Sequence, residues 1–526
     1  MQTYSIARVL KGDMKMRKIF SFMLTVSLLG ALLAGCSGGA GNKNVGNTPS
    51  NTAEPSSETA QPSGKPVKLE IIESGNNLPS PDKDIIKQEL DKALNIDLNL
   101  TVYPSADDYG NQLNVRMASG NFPDLFMVDR QQLIQFSKQG LLLDLTPYMD
   151  KLQQTVSFIG EDSVKKGMVD GKVYAISKSP QIPYNTFWIR KDWLDKLQLS
   201  VPTTVEQLAA VAEAFTKEDP DGNGKPDTFG LTGGKLGAFS PVFGAFGVGM
   251  PGNFYVKDGA VVNAMYDPAM KEALAFIGQM IASGSVDPEL LANSGLQHQE
   301  KAIKGQAGIV YIDWPNITKE QFVEQIKTVN PNAEWVQIAA PSGAGGQYDG
   351  SWDIGATPAR FAVPKALEKD PEKLQRIFDL LNYISNPDGG SMLVQFGVKD
   401  THFTLDNGKP KMTDKAGEVG HSWLYQFTGR PEMEYLQAKF ALQSDAIAFA
   451  NDQPRIEALN GFIDNPEGFN PVDANRYIEE EIAKFIYNKR PLSEYDAFIK
   501  TLETSMNYKA YLDSANEQLK ALGYGS

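Results

Sequence analysis

From residue 219 to 227 the chain reads Asp-Pro-Asp-Gly-Asn-Gly-Lys-Pro-Asp, a spacing that gathers hard oxygen donors around one point. The side chains of Asp219, Asp221 and Asn223 hold loop positions one, three and five, the carbonyl of Lys225 position seven and Asp227 position nine. With Gly224 at position six for the tight turn, the pattern matches the calcium loop of EF-hands. It departs at position twelve, where Gly230 stands in place of a bidentate Glu. Either Asp227 then reaches the ion directly, or a distant carboxylate or a water completes the shell. The expectation is one structural calcium ion; the bland alternative is a solvated Gly-rich turn without metal.

A second set of residues suits sugars, which offer apolar C–H faces rimmed by hydroxyls and so call for stacking aromatics beside fork-like polar groups. Trp188, Trp314 and Trp352 fall at junctions between strand-like and loop-like sequence, whereas Trp193 and Trp335 read as core or packing residues. For each of the three, burial in a core is the competing reading. The polar half is expected from Asn76, Asp129, Arg130 and Arg360, which follow or open apolar strand-like runs. Their competing reading is a helix cap or a surface ion pair.

Patterns for catalysis do not assemble. His298, His402 and His421 are far apart and form no His-Glu-x-x-His helix. The Gly-x-Ser-x-Gly match at Gly35 to Gly39 lies in a low-complexity stretch. The dinucleotide-type glycines at Gly247, Gly249 and Gly252 lack a strand-to-helix context, and Pro251 would remove a backbone donor.

These residues need a scaffold, and the sequence outlines one. Lys68 to Glu73 reads as a strand, Asp82 to Leu94 as a helix through Ile85, Ile86, Leu90 and Leu94, and Ile96 to Val102 as a strand again. Asp108 to Ser119 is helical, and Pro123 to Val128 is a short apolar strand running into Asp129 and Arg130. Such β-α-β alternation implies a mostly parallel sheet covered by helices, with binding groups at the carboxyl ends of its strands. There lie Ser74 to Asn77 and Asp129-Arg130. After Pro66 about 460 residues remain, a length suited to two lobes rather than one core. The net charge of −14 argues against nucleic acid as a partner. With Cys36 the only cysteine, the body beyond it can form no internal disulfide.

The amino-terminal stretch sets the address. Met16-Arg17-Lys18, the apolar run Ile19 to Leu33 and the small residues before Cys36 describe a secretory signal, residues 1–35. Leu33-Ala34-Gly35-Cys36 resembles a bacterial lipobox, which implies acylation of Cys36 and attachment to the outer face of the cell membrane. The alternatives are an uncleaved anchor or a buried thiol. Residues 36–66 are rich in Ser, Thr, Pro, Gly and Asn and read as a flexible tether. Translation can begin at Met1, Met14 or Met16.

From Val67 onward the chain resembles the maltose-binding type of bacterial extracellular solute-binding proteins (family 1), and within it the long lipoprotein branch that includes alginate-oligosaccharide binders. The resemblance is carried by Ala118 to Asp124, Gly140 to Tyr148, Gly171-Lys172-Val173-Tyr174-Ala175-Ile176, Ile189 to Leu197 and Pro202 to Leu208, in that order. Lys301 to Tyr311, ahead of Trp314, and Gly355 to Ile384 fit the same plan. It implies an α/β fold of two lobes, each a mostly parallel sheet flanked by helices, joined by a discontinuous hinge. The lobes would be 67–178 with 343–388, and 179–342 with 389–526. It further implies a monomeric substrate-binding lipoprotein of an ABC importer that captures a carbohydrate between the lobes and delivers it to a membrane permease. By position Trp314 resembles the family's stacking tryptophan and Asp129 its hydroxyl-binding carboxylate, and similar loops in the alginate-binder branch hold calcium. The opposing class is a surface-anchored glycosidase or polysaccharide lyase, and a sensor feeding a membrane receptor shares the fold.

Overall fold

The computed structural model describes residues 64–525; the signal segment, Cys36 and nearly all of the tether lie outside the described residues. The described chain is built on two main sheets. In the first, the strands lie in the order Ile96–Tyr103, Val67–Ser74, Leu125–Val128, Arg360–Ala362, Ala175–Ser177. Its first three strands are parallel, in register Val67 to Ile96 and Ile71 to Leu125, while Arg360–Ala362 runs antiparallel between its two neighbours. The second sheet has the order Trp335–Ile338, Asn185–Arg190, Ala307–Asp313, Phe229–Gly233, and Asn185–Arg190 runs against both strands beside it. Each sheet thus carries one reversed strand where the chain arrives from the other sheet.

Local chemistry accounts for these elements. The helix Ile85–Leu94 starts where the Asp84 carboxylate accepts the Lys87 N–H at 3.1 Å, buries Ile86, Leu90 and Leu94 along one stripe, and ends at left-handed Asn95. Ser105 and Gly120 bound the helix Ala106–Ser119 in the same way. Val205–Lys217, capped by Thr204, buries Val205, Leu208, Val211, Ala212 and Phe215 against the second sheet. Two glycines admit that contact. A Cβ on Gly308 would fall 2.1 Å from the Phe215 ring, and one on Gly230 would fall 2.2 Å from the Ala212 carbonyl oxygen.

Separate apolar cores back the sheets. Ile71, Leu98, Leu125 and Phe361 lead the first sheet's core, and helix Pro371–Ser385 adds Ile377, Phe378, Leu381 and Ile384. Phe187, Ile189, Leu231 and Ile309 lead the second sheet's core, joined by Ile478, Ile482, Phe485, Phe498 and Leu502 of the carboxyl-terminal helices. The stretch after residue 388 divides: Val394, Val419, Leu424, Tyr425 and Phe427 pack into the first core, and the helices from Pro471 onward into the second. A buried triad anchors the first part, with Asp84 accepting from the Tyr425 hydroxyl at 2.5 Å and lying 3.0 Å from the His421 ring. Among the described residues no helix is long and apolar enough to cross a membrane.

Candidate ligand-binding cleft

Three adjoining cavities lie where the two sheets present their strand ends. The first, about 310 Å3, is lined by Glu73, Ser74 and Met127 at the carboxyl ends of the first sheet and by Lys178, Trp423 and Arg430. The second, about 480 Å3, takes Tyr311, Ile312 and Asp313 from the second sheet together with Tyr184, His298 and Trp352. The third, about 630 Å3, is lined by Lys166, Trp352, Asp353 and Tyr524 among others. Gln181 lines all three, Trp352 joins the second to the third, and Pro358 joins the first to the third. Carboxyl ends of strands are where open α/β sheets gather ligands, because the side chains there leave the sheet without a partner layer above them.

Two crossings between the sheets border this space and are stitched to each other. Ser179 donates its N–H to the Thr428 carbonyl at 2.9 Å and its hydroxyl to the Arg430 carbonyl at 2.7 Å, while accepting the Arg430 N–H at 2.8 Å. Gly429, at φ 87°, lies so close that a Cβ would meet the Ser179 hydroxyl at 2.3 Å. Arg430 then forks onto Glu432 at 2.7 and 2.8 Å and stacks on the Tyr435 ring at 3.7 Å, and Glu432 also accepts from the Tyr184 hydroxyl. A third crossing is held where Arg455 donates to Asp349 at 2.6 Å and to the Asn185 carbonyl at 2.8 Å.

Of the residues the sequence singled out for ligand contact, Trp352 sits in the cleft, half-buried and shared by two cavities. Trp314 does not. It is 1% exposed, its ring 6.0 Å from Tyr184 and 5.4 Å from Phe440, in a cluster with Ile312, Ile317 and Phe403. Protein rings cover it where a sugar was expected, so here it is a core residue. Trp188 lies in the same cluster at 4% exposure, because its position inside the strand Asn185–Arg190 points it at Val310 and Trp314 rather than at the cleft. Trp193 is fully buried beneath the Arg190 guanidinium, and Trp335 packs half-buried beside the same group.

Local partners likewise occupy the expected polar groups. Asp129 caps the helix Arg130–Lys138 through a capping box with Gln132 and is exposed. Arg130 forks onto Asp464 at 2.5 and 2.6 Å and donates to the Met168 carbonyl at 2.7 Å. Buried Arg360 donates to the Lys166 carbonyl at 2.8 Å; burial and the nearby Arg130 guanidinium push it down to about 10. Asn76 is exposed on the loop after the first strand.

The cleft residues that sequence reasoning missed are Glu73, Lys178, Gln181, Trp423 and Arg430. A charged residue closing an apolar strand, as Glu73 does, was the available signal.

The 219–227 loop lies away from these cavities. Asp219 accepts the N–H groups of Gly222, Asn223 and Gly224, each at 3.1 Å, and the Asn223 amide donates to Asp221 at 2.6 Å and to Asp227 at 3.1 Å. Lys196 braces the loop by donating to the carbonyls of Asp219 and Pro220. Burial and the neighbouring carboxylates of Asp219 and Asp227 hold the Asp221 carboxyl above its ordinary value. Gly230 explains the missing twelfth ligand: pressed against the Ala212 backbone, that position has no room for a side chain. Among the described residues no group of three or more acidic, His or Cys side chains closes into a metal cage. In the loop, the Asn223 amide nitrogen faces the carboxylates of Asp221 and Asp227.

The chain belongs to the family of bacterial extracellular solute-binding proteins, which matches it over residues 75–391, more than half of its 526 residues. It is 28% identical over 406 residues to the polygalacturonan/rhamnogalacturonan-binding protein YtcQ of Bacillus subtilis (strain 168), covering 76% of each chain. It is 25% identical over 528 residues to the fructooligosaccharide ABC transporter substrate-binding protein FusA of Streptococcus pneumoniae serotype 4, covering 91% of this chain and 94% of that one. Among solved structures, the alginate-binding protein AlgQ2 without calcium ion superposes with a TM-score of 0.62 at 18% identity, over 87% of this chain and 99% of AlgQ2. Neighbours of this kind are two-lobe periplasmic-binding-protein folds, the fold expected from the sequence.

Proposed function

We propose that this protein is the substrate-binding component of an ABC importer, that it captures an oligosaccharide in the cleft between its two sheets, and that it hands the sugar to a membrane permease. The observation carrying this reading is the run of three adjoining cavities at the strand ends, joined through Gln181, Trp352 and Pro358. Together they form a space lined by aromatic faces and polar groups, as sugar rings require. Membership of a solute-binding family and likeness to YtcQ and FusA, whose names carry sugars and, for FusA, an ABC transporter, support it. Each sheet with its helices forms a lobe, and ligand contacts made to both favour closure about the stitched crossings at Ser179 and Arg430. The test is titration of an oligosaccharide panel into the wild-type protein and Trp352→Ala, with the sugar recovered and sized afterwards. Binding that Trp352→Ala weakens about tenfold, with intact sugar, is expected; shortened or unsaturated products would favour the glycosidase or lyase instead.

Two further features belong to this reading. Acylation of Cys36 would hold the protein at the extracytoplasmic face of the membrane, within reach of the permease. Calcium would be held by Asp219, Asp221, Asn223, the Lys225 carbonyl and Asp227, its charge set against the three carboxylates gathered there. Its role there is structural, tying the end of helix Val205–Lys217 to the strand Phe229–Gly233.

A further inference from the structure

The smallest of the three cavities has a polar floor that no other feature of the fold uses. Glu73 is 1% exposed, and its Oε1 has no hydrogen-bond partner among the described residues. Beside it, the half-buried Lys178 ammonium lies 5.5 Å from the centre of the Phe361 ring and, among the described residues, has no carboxylate within ion-pair distance. The other charges lining the cavity cancel, because Arg430 and Glu432 are forked onto each other. Half-buried Trp423 lines it as well. A buried polar group without a partner is costly, so the unpartnered Glu73 oxygen in this cavity marks a place where a ligand supplies the missing atom.

We infer that this cavity is a charge-selective subsite of the cleft, taking one acidic sugar residue whose carboxylate pairs with Lys178 and hydrogen-bonds to Glu73 while its ring packs beside Trp423. The inference rests on the oligosaccharide-binding reading above. The volume of about 310 Å3 suits a single ring rather than a chain. The chemistry is one of donors seeking an acceptor. Burial pushes the Glu73 carboxyl up against the pull of Lys178, which favours the protonated form that can donate. Burial, opposed by Glu73 and helped by the neighbouring Arg430, pushes Lys178 down, and an anionic group bound beside it would favour its charged form. A neutral sugar offers hydroxyls to the same groups but leaves the cation without a counter-charge.

The experiment is calorimetric titration of the wild-type protein with a three-residue uronic-acid oligosaccharide and with the same trisaccharide after its carboxyls are reduced to alcohols. The acidic form is expected to bind about tenfold or more tightly. Lys178→Met should weaken the acidic form by about tenfold and the reduced form by less than about threefold, and Lys178→Arg should recover most of the loss. Equal affinity of the wild type for the two forms, or equal losses for both in Lys178→Met, would overturn the inference. Should Lys178→Met not fold, as judged by melting, the wild-type comparison decides alone. If neither trisaccharide binds but another oligosaccharide does, the subsite falls and the carbohydrate-binder reading stands; if no oligosaccharide binds, both fall.

Discussion

Replacing Trp314 by Ala distinguishes a core residue from a sugar platform. The side chain is 1% exposed and sits between the rings of Tyr184 and Phe440, tilted against one and edge-on to the other. Truncating a buried tryptophan costs about 3–5 kcal/mol in lost transfer energy and cavity formation. Loss of two favourable ring pairings, each about 0.5–1.5 kcal/mol, places this site toward the upper end of that range. Its buried indole N–H has no acceptor among the described residues, so no hydrogen bond is lost to add to the cost. A loss of about 4 kcal/mol is a large fraction of a typical stability of about 5–15 kcal/mol. Urea unfolding followed by far-ultraviolet circular dichroism measures it. A loss below about 1 kcal/mol, together with oligosaccharide affinity weakened about tenfold, would refute the packing argument and return Trp314 to the cleft.

Chelation should lower the melting temperature, since an ion at a hundredfold its dissociation constant stabilises by about 2.7 kcal/mol, and Asp221→Ala should abolish the dependence; a melt indifferent to calcium and chelator would remove the site. Cys36→Ala should shift the protein from the membrane fraction to the soluble or secreted fraction with its melting curve unchanged, and unchanged membrane retention would exclude acylation at Cys36. Burial raises the Asp287 carboxyl, but hydrogen bonds from Lys301, Thr232, Asn293 and the Glu289 N–H outweigh it and hold the group below its ordinary value. Its stabilisation is therefore complete above the ordinary value of 3.8 and is lost as pH falls through the lower folded value. Asp287→Asn should cost about 3 kcal/mol at pH 7 and make the acid limb of the stability profile shallower; an unchanged acid limb would contradict the linkage.

Much of the scaffold was legible because it depends on local signals. Ile86, Leu90 and Leu94 at helical spacing define the first helix before any tertiary contact is known, although it starts at Ile85, after its cap Asp84, rather than at Asp82. The strand-helix-strand rhythm from Val67 to Val128 places the carboxyl ends correctly, and with them the neighbourhood of the cleft. The calcium-type loop was legible from spacing, but not the reason for Gly230, which lies in the backbone of Ala212 on the packed helix. Tryptophan roles were the least legible. Whether Trp314 faces solvent or protein depends on Tyr184 and Phe440, more than a hundred residues away in sequence, and nothing in its immediate neighbours encodes them. Asp129 and Arg130 stand where strand-end binding groups belong, yet a helix starting at Arg130 and a carboxylate at Asp464 claim them first. Glu73 and Lys178 gave a weak signal, because a lone charge at the end of an apolar strand is usually solvated.

The most direct test is calorimetric titration of the wild-type protein with a panel of neutral and acidic oligosaccharides, each recovered and sized afterwards. Saturable binding of at least one oligosaccharide, at one site per chain and with the sugar returned intact, is the expected result. No heat with any oligosaccharide, or recovery of shortened or unsaturated fragments, would contradict a carbohydrate-capturing role for the cleft.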